Sequence, residues 1–220
     1  MYKLEGMYAA IPTPFFEDES IDYAGIKTLV GYLADQGLHG IIAGGSTGEY
    51  TMMSTEERKG VIKAAFEAGK GRIDVIAGTG CPRAADTIEL CGFAAECGAD
   101  AALVITPYYM VMTEDMLYDY FKTVAAASKI PVIIYHYSLA TGVSLSPAFV
   151  KKLAELDNIV GIKNTEDMDH TAKVIGLTQD NDTFRVAIGY DSLAVANLST
   201  GGHASMGVIH NIVPKTKEPI

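Results

Sequence analysis

Short apolar runs recur along the chain at residues 8–11, 40–43, 74–77, 101–105, 131–135, 159–162, 184–188 and 204–209. Each has strand length and is apolar at successive positions, so both of its faces must be buried, as in a parallel sheet covered on both sides. Between the runs the spacing turns helical. Ile26, Leu29, Val30 and Leu33 share a helix face behind Asp22, a suitable N-cap. Ser54 with Glu57 forms a capping-box pattern ahead of Val61, Ile62, Ala65 and Phe66. Ser146-Pro147 sets a cap before a proline at the first helical position. Gly37, Gly98 and Gly201-Gly202 mark helix-to-strand joins, where a left-handed C-cap suits glycine. A repeat of roughly 20 to 35 residues matches one strand plus one helix. Eight such strands predict an α/β fold, a (β/α)8 TIM barrel forming a single domain over residues 1–220. A doubly wound open sheet competes with it, but no Gly-x-Gly-x-x-Gly follows the first run.

In a barrel of this kind chemistry gathers where strands end and loops begin. Those positions hold Gly44-Gly45-Ser46-Thr47-Gly48-Glu49, Gly78-Thr79-Gly80, Thr106-Pro107-Tyr108-Tyr109, Tyr135-His136, Lys163-Asn164-Thr165 and Gly189-Tyr190-Asp191. Lys163 ends the apolar run Ile159-Val160-Gly161-Ile162, and nothing in that run pairs its charge. Strict alternation puts Ile159, Gly161 and Lys163 on one face. A lysine turned into the barrel loses hydration, its amine pKa falls, and the neutral amine becomes a nucleophile toward carbonyls. The same lysine could instead end the strand and reach solvent. The glycine-rich turn with two hydroxyls suits a carboxylate through close backbone approach, or it caps the next helix. No lysine follows its last glycine, so it is not a phosphate loop of the P-loop type. Tyr135, one strand from Lys163, could relay protons or fill the core. Tyr108 and Tyr109 could pack at a subunit contact.

Composition narrows the partners. The 220 residues are 49% apolar and 20% charged, with a net charge of −10. An acidic surface disfavours nucleic acid or an anionic membrane as partner and leaves a small anionic substrate open. No signal-peptide core opens the sequence and no apolar stretch spans a bilayer, so the cytoplasm is the expected location. Three cysteines without metal-like spacing read as small buried residues, and neither metal nor cofactor is expected.

The motifs Gly44-Gly45-Ser46-Thr47-Gly48-Glu49, Thr106-Pro107-Tyr108-Tyr109, Tyr135 and Gly161-Ile162-Lys163, in this order, resemble the dihydrodipicolinate synthase / N-acetylneuraminate lyase family. The resemblance runs from Pro12-Thr13-Pro14 to about Asn211. It implies a Schiff-base-forming, pyruvate-dependent class I aldolase or lyase on a (β/α)8 barrel, commonly a homotetramer. It also implies pyruvate and an aldehyde or 2-oxo acid as the small-molecule substrates. By the same resemblance Lys163 forms the imine and Tyr135 is the general acid and base. Thr47 passes protons to Tyr135, and Tyr109 completes the relay from a neighbouring subunit. Ser46 and Thr47, with Gly45, hold the pyruvate carboxylate, and Gly189, Asp191 and Met206 line the remaining substrate site.

The pattern departs from the synthase members at position 140. An arginine there would hold the second substrate's carboxylate, and this chain has Ala140. Losing a charge-assisted contact argues against synthase activity. Leu139-Ala140-Thr141-Gly142 and Gly189-Tyr190-Asp191 lean toward the lyase side, but Ser192 stands where sialate lyases usually carry glutamate. The reading is therefore an N-acetylneuraminate lyase-like or sugar-acid aldolase. Dihydrodipicolinate synthase is the alternative, and a truncated non-catalytic oxo-acid-binding relative is the alternative of another class. His136 stands in place of the family's usual asparagine and reads as a hydrogen-bonding scaffold. The sequence stops soon after the eighth run, without the last barrel helix or the family's C-terminal helical extension, so strands eight and one are expected to lie partly open.

Overall fold

The computed structural model describes residues 2–214. Residue 1 and residues 215–220, which the expected domain includes, lie outside the described residues. Eight parallel strands close into a barrel in sequence order. They are β1 Gly6–Ala10, β2 Gly40–Ala43, β3 Asp74–Gly78, β4 Ala101–Ile105, β5 Val132–His136, β6 Ile159–Asn164, β7 Arg185–Ile188 and β8 Ala204–Gly207. β8 pairs with β1 through Gly6 and Ala204, which closes the ring. The open-sheet alternative is thereby excluded. The fold is a TIM barrel.

The helices follow from their caps. α1 Tyr23–Asp35 starts where Asp22 accepts the Gly25 N–H at 2.8 Å. α2 Thr55–Gly69 has the expected capping box, with the Ser54 hydroxyl and Glu57 carboxylate each meeting the other's backbone. α3 Ala84–Cys97 ends on Gly98 at φ 96°, the left-handed C-cap the sequence suggests. α4 Glu114–Ala127, the short α5 Ser138–Thr141, α6 Pro147–Leu153, α7 Met168–Thr178 and α8 Ala194–Ser199 complete the outer layer.

Two apolar layers result from strand alternation. Tyr8, Ala10, Ile42, Ile76, Leu103, Ile133, Tyr135, Ala187 and Met206 fill the barrel interior. Residues of the opposite faces, such as Val104, Ile134, Ile162 and Val186, pack against the helices. β6 breaks the alternation. Val132 pairs with Ile159, but its neighbour Ile133 pairs with Gly161, so Val160 is an extra residue in the strand. Ile159 consequently packs outward with the helices, whereas Val160 joins the interior. The simple alternation predicted Ile159 on the same face as Lys163; the bulge separates them.

Of the two strands expected to lie partly open, β8 is buried along its whole length, whereas β1 is half-buried at Gly6 and Met7 and buried from Tyr8 onward. Ser205, on its outer side, is covered by His210 at 3.3 Å in the 3-10 turn Ile209–Asn211. The exposed apolar residues of this region are Val208, Ile209, Ile212 and Val213, beyond the strand.

Candidate active site

Tyr135 and Lys163 are direct neighbours across β5 and β6. Lys163 is 6% exposed, and its Nζ lies 4.3 Å from the centroid of the Tyr135 ring. Burial strips water from the ammonium and brings its pKa down to about 8, partly opposed by the negative charge of Asp191. An amine of pKa 8 is about one-tenth neutral at pH 7, roughly 300-fold more than an ordinary lysine at 10.5. The strand-end lysine that reaches solvent is thus not the one observed. Room for its stem depends on Gly189, after β7. A Cβ there would stand 3.2 Å from Lys163 Cε and 2.1 Å from the Thr165 hydroxyl, so only glycine fits.

The Tyr135 phenol is buried, and loss of hydration raises its pKa, so it stays protonated at neutral pH. Its hydroxyl lies 3.4 Å from Ser46 Oγ. This distance is long for an O–H···O bond and leaves the phenol incompletely satisfied. Ser46 sits in a 3-10 turn, Ser46–Gly48, bracketed by Gly44 at φ 70° and Glu49 at φ 60°. The turn is held from outside by the Thr13 hydroxyl, which donates to the Gly48 carbonyl at 2.8 Å. The hydroxyl beside Tyr135 is that of Ser46; Thr47, expected from the resemblance to be its neighbour, is half-buried on the same turn. Adjacent residues of a 3-10 turn point in different directions, which one-dimensional motif matching does not resolve.

The remaining predicted residues are spread around the rim and below it. Asp191 Oδ2 accepts the N–H groups of Val208 and Ile209 at 3.2 and 3.3 Å, tying the exit of β7 to the turn after β8. Its Oδ1 is buried against Gly207. Met206 is fully buried in the barrel interior with Tyr8 and Ala187, which makes it part of the floor under the site. Gly45 lines a cavity of about 10 Å³ with Gly44, Arg58 and Tyr135, room for about one water. Tyr109 is 94% exposed at φ 75° and touches none of the residues above. Tyr108 instead turns inward, edge-on to Tyr50 at 6.4 Å.

Arg58 escaped the sequence reading. It is buried on α2 and donates to the carbonyls of Gly78 and Gly80 at 2.8 and 3.2 Å, fixing the turn after β3. Its guanidinium also stacks 4.9 Å over Tyr50. An arginine four residues after a helix cap carries no mark of burial in the sequence. Of the three cysteines expected to be buried, Cys91 is buried, but Cys81 and Cys97 are only half-buried. Among the described residues no group of three or more His, Cys, Asp or Glu could hold a metal, and no helix is long and apolar enough to cross a membrane.

A buried amine of lowered pKa, a protonated phenol beside it and a glycine-rich hydroxyl turn at one barrel rim suit imine chemistry on a small oxo acid. Comparison with known proteins agrees. The chain is 38% identical over 211 residues to the 4-hydroxy-tetrahydrodipicolinate synthase of Methanothrix thermoacetophila, covering 96% of this chain and 70% of that one. It is 39% identical over 210 residues to the enzyme of the same name from Acetivibrio thermocellus, with coverage of 96% and 70%. Its fold superposes with a TM-score of 0.92 on the dihydrodipicolinate synthase of Acinetobacter baumannii, crystallised with pyruvate. That protein is 37% identical, with coverage of 97% of this chain and 73% of that one. The dihydrodipicolinate synthetase family matches residues 3–220, and the chain belongs to it as a pyruvate-dependent class I aldolase, a carbon–carbon lyase.

Proposed function

We propose that the chain condenses pyruvate with an aldehyde through an imine on Lys163, and that the reaction is 4-hydroxy-tetrahydrodipicolinate synthesis from pyruvate and aspartate semialdehyde. The observation that carries the imine is the buried Lys163 amine packed against Tyr135. The second substrate rests on the relatives, whose names favour the synthase over the lyase-like reading of the sequence.

In this reading Ser46, Thr47 and the Gly45 backbone hold the pyruvate carboxylate. The neutral Lys163 amine adds to the keto carbon, and the Tyr135 phenol gives its proton to the departing hydroxyl, which leaves as water. The ammonium-like iminium withdraws electrons from C3, which loses a proton to the Tyr135 phenolate and attacks the aldehyde carbon, whose oxygen takes that proton; the semialdehyde's own amine then displaces the Lys163 amine and closes the ring. Ser46, whose hydroxyl lies 3.4 Å from the phenol, is the residue of the glycine-rich turn that passes protons to Tyr135. Gly189 and Asp191 set the lysine's space and charge, and Met206 supports the floor. Tyr109, projecting with Met110 and Val111, fits a contact with a second copy, in an assembly that the family resemblance makes a tetramer.

One observation favours a second reading, aldol cleavage of a 2-oxo sugar acid. Ala140 supplies no cation for the carboxylate of aspartate semialdehyde. The test is borohydride reduction with pyruvate, followed by parallel assays of semialdehyde condensation and pyruvate release from 2-oxo sugar acids. A pyruvyl adduct on Lys163 with condensation supports the proposal. Cleavage alone transfers the chain to the second reading, and no adduct in a folded sample rejects both.

A further inference from the structure

Directly behind the reacting pair the chain carries a second, purely hydrogen-bonded set. His136 follows Tyr135 on β5 and Asn164 follows Lys163 on β6, and the two face each other across the strands. Both are fully buried. His136 Nε2 accepts the backbone N–H of Leu145 at 3.0 Å. That fixes the tautomer: Nδ1 carries the proton and donates to Asn164 Oδ1 at 3.0 Å. The Asn164 amide then donates to His170 Nδ1 at 3.1 Å and to the Thr171 hydroxyl at 2.9 Å. His170 Nε2 must therefore carry its proton, which goes to the Leu145 carbonyl at 2.8 Å.

Every donor in this circuit meets an acceptor, and both backbone groups of Leu145 are held, each by one histidine. Leu145 ends the segment that leaves β5, passes through α5 and carries Tyr137, stacked 6.1 Å from Tyr135, and Ala140. The start of that segment is held by Glu166, which accepts the Ser138 N–H at 3.1 Å. Residues 137–145 are thus fastened at both ends to the segment that follows the lysine.

We propose that His136, Asn164 and His170 are positioning residues that hold the 137–145 loop in register with Lys163, so that they govern the fit of the second substrate and not imine formation. The inference rests on the reading that this loop borders the second-substrate site. The His136 contact works only with a neutral ring. A proton on His136 Nε2 would face the Leu145 N–H instead of accepting it. The same proton has another partner, because Glu166 Oε1 lies 3.5 Å away. The ionisable groups facing His136 are Glu166 and His170. Burial lowers the His136 pKa, with the Asn164 hydrogen bond and Glu166 opposing and His170 reinforcing, so His136 accepts the Leu145 N–H at neutral pH and releases it on acidification.

The test uses His170→Ala, which removes a half-buried ring, and Asn164→Asp, which places a carboxylate against His136. Three readouts are taken: hydrogen exchange of residues 137–145, borohydride trapping of the pyruvate imine, and KM for aspartate semialdehyde. For His170→Ala the expected result is at least tenfold faster exchange in that segment and a tenfold rise in KM. Imine trapping should stay within twofold of the parent. For Asn164→Asp, protection of the segment should be lost at a higher pH than in the parent, because the carboxylate favours the charged His136. Unchanged exchange in His170→Ala, or trapping that falls in step with KM, would overturn the clamp. So would an identical pH profile in Asn164→Asp. If the parent does not use the semialdehyde, exchange and trapping still decide the clamp, and only the substrate reading fails.

Discussion

Both ends of the barrel interior carry buried phenols, and their partners differ. At the N-terminal end the Tyr8 hydroxyl donates to Asp74 Oδ2 at 3.0 Å and receives the Tyr2 hydroxyl at 3.2 Å. At the C-terminal end Tyr135 has the Ser46 hydroxyl at 3.4 Å, the buried and unpartnered Thr165 hydroxyl nearby, and an amine over its ring. Desolvation raises the pKa of both phenols. The floor satisfies its polar atoms and acts as a plug. The rim leaves them short of partners, which a reactant can supply. Burial alone does not make a site; burial with unmet hydrogen-bonding capacity does.

The largest effect expected from this contrast is at Lys163. Lys163→Ala should abolish borohydride trapping and turnover while leaving the circular dichroism spectrum unchanged. Residual trapping at another lysine would show that the rim has a second amine of similar character. Tyr135→Phe keeps the ring under Lys163 and removes the phenolic proton. Its kcat should fall about 10²- to 10⁴-fold, the range for a general acid. Tyr8→Phe, the same change at the floor, should leave kcat within about twofold. It strands a half-buried carboxylate, costing about 1–3 kcal/mol, which corresponds to a Tm lower by several degrees. If Tyr8→Phe instead lowered kcat as Tyr135→Phe does, the contrast between plug and site would collapse.

Ala140→Arg restores a cation to the loop at the rim. A charge-assisted contact contributes roughly 1.5–3 kcal/mol, so kcat/KM for aspartate semialdehyde should rise at least about tenfold with trapping unchanged. The smallest effect concerns acid. Burial lowers the pKa of His136, His203 and His210, each below its ordinary 6.5. A histidine that is harder to protonate when folded contributes stability above 6.5 that is lost as pH falls through its folded pKa. Asp74 acts with the opposite sign, since burial raises its pKa above 3.8 and protonation relieves a buried charge. The three histidines predict a Tm that declines as pH falls below about 6.5. A flat profile there would mean that the histidines remain neutral throughout.

Much of this was legible in the sequence because parallel barrel strands are buried on both faces and stand out as continuous apolar runs. Lys163 was legible for the same reason, a charge at the end of a run that has no place for one. Three features were not. The extra residue at Val160 leaves no trace in an all-apolar segment. The choice between Ser46 and Thr47 depends on the rotation of a 3-10 turn. The hydrogen bond from Tyr8 to Asp74 joins residues 66 apart, and that from His136 to Asn164 joins residues 28 apart. Such pairings are created by closure of the ring, so no local pattern announces them.

The irregularity in β6 also bears on how this strand tolerates insertions and deletions. From Gly161 onward the strand is in regular register with both neighbours, Ile133 on one side and Arg185 on the other. Loss of Val160 would let Ile159 and Gly161 pair with Val132 and Ile133 without interruption, leaving Lys163 pointing inward. Loss of Ile162, one position past Gly161, would turn the lysine toward the helices and end the chemistry. Within six residues the strand therefore holds one position where its length can drift over generations and another where a single lost codon is fatal.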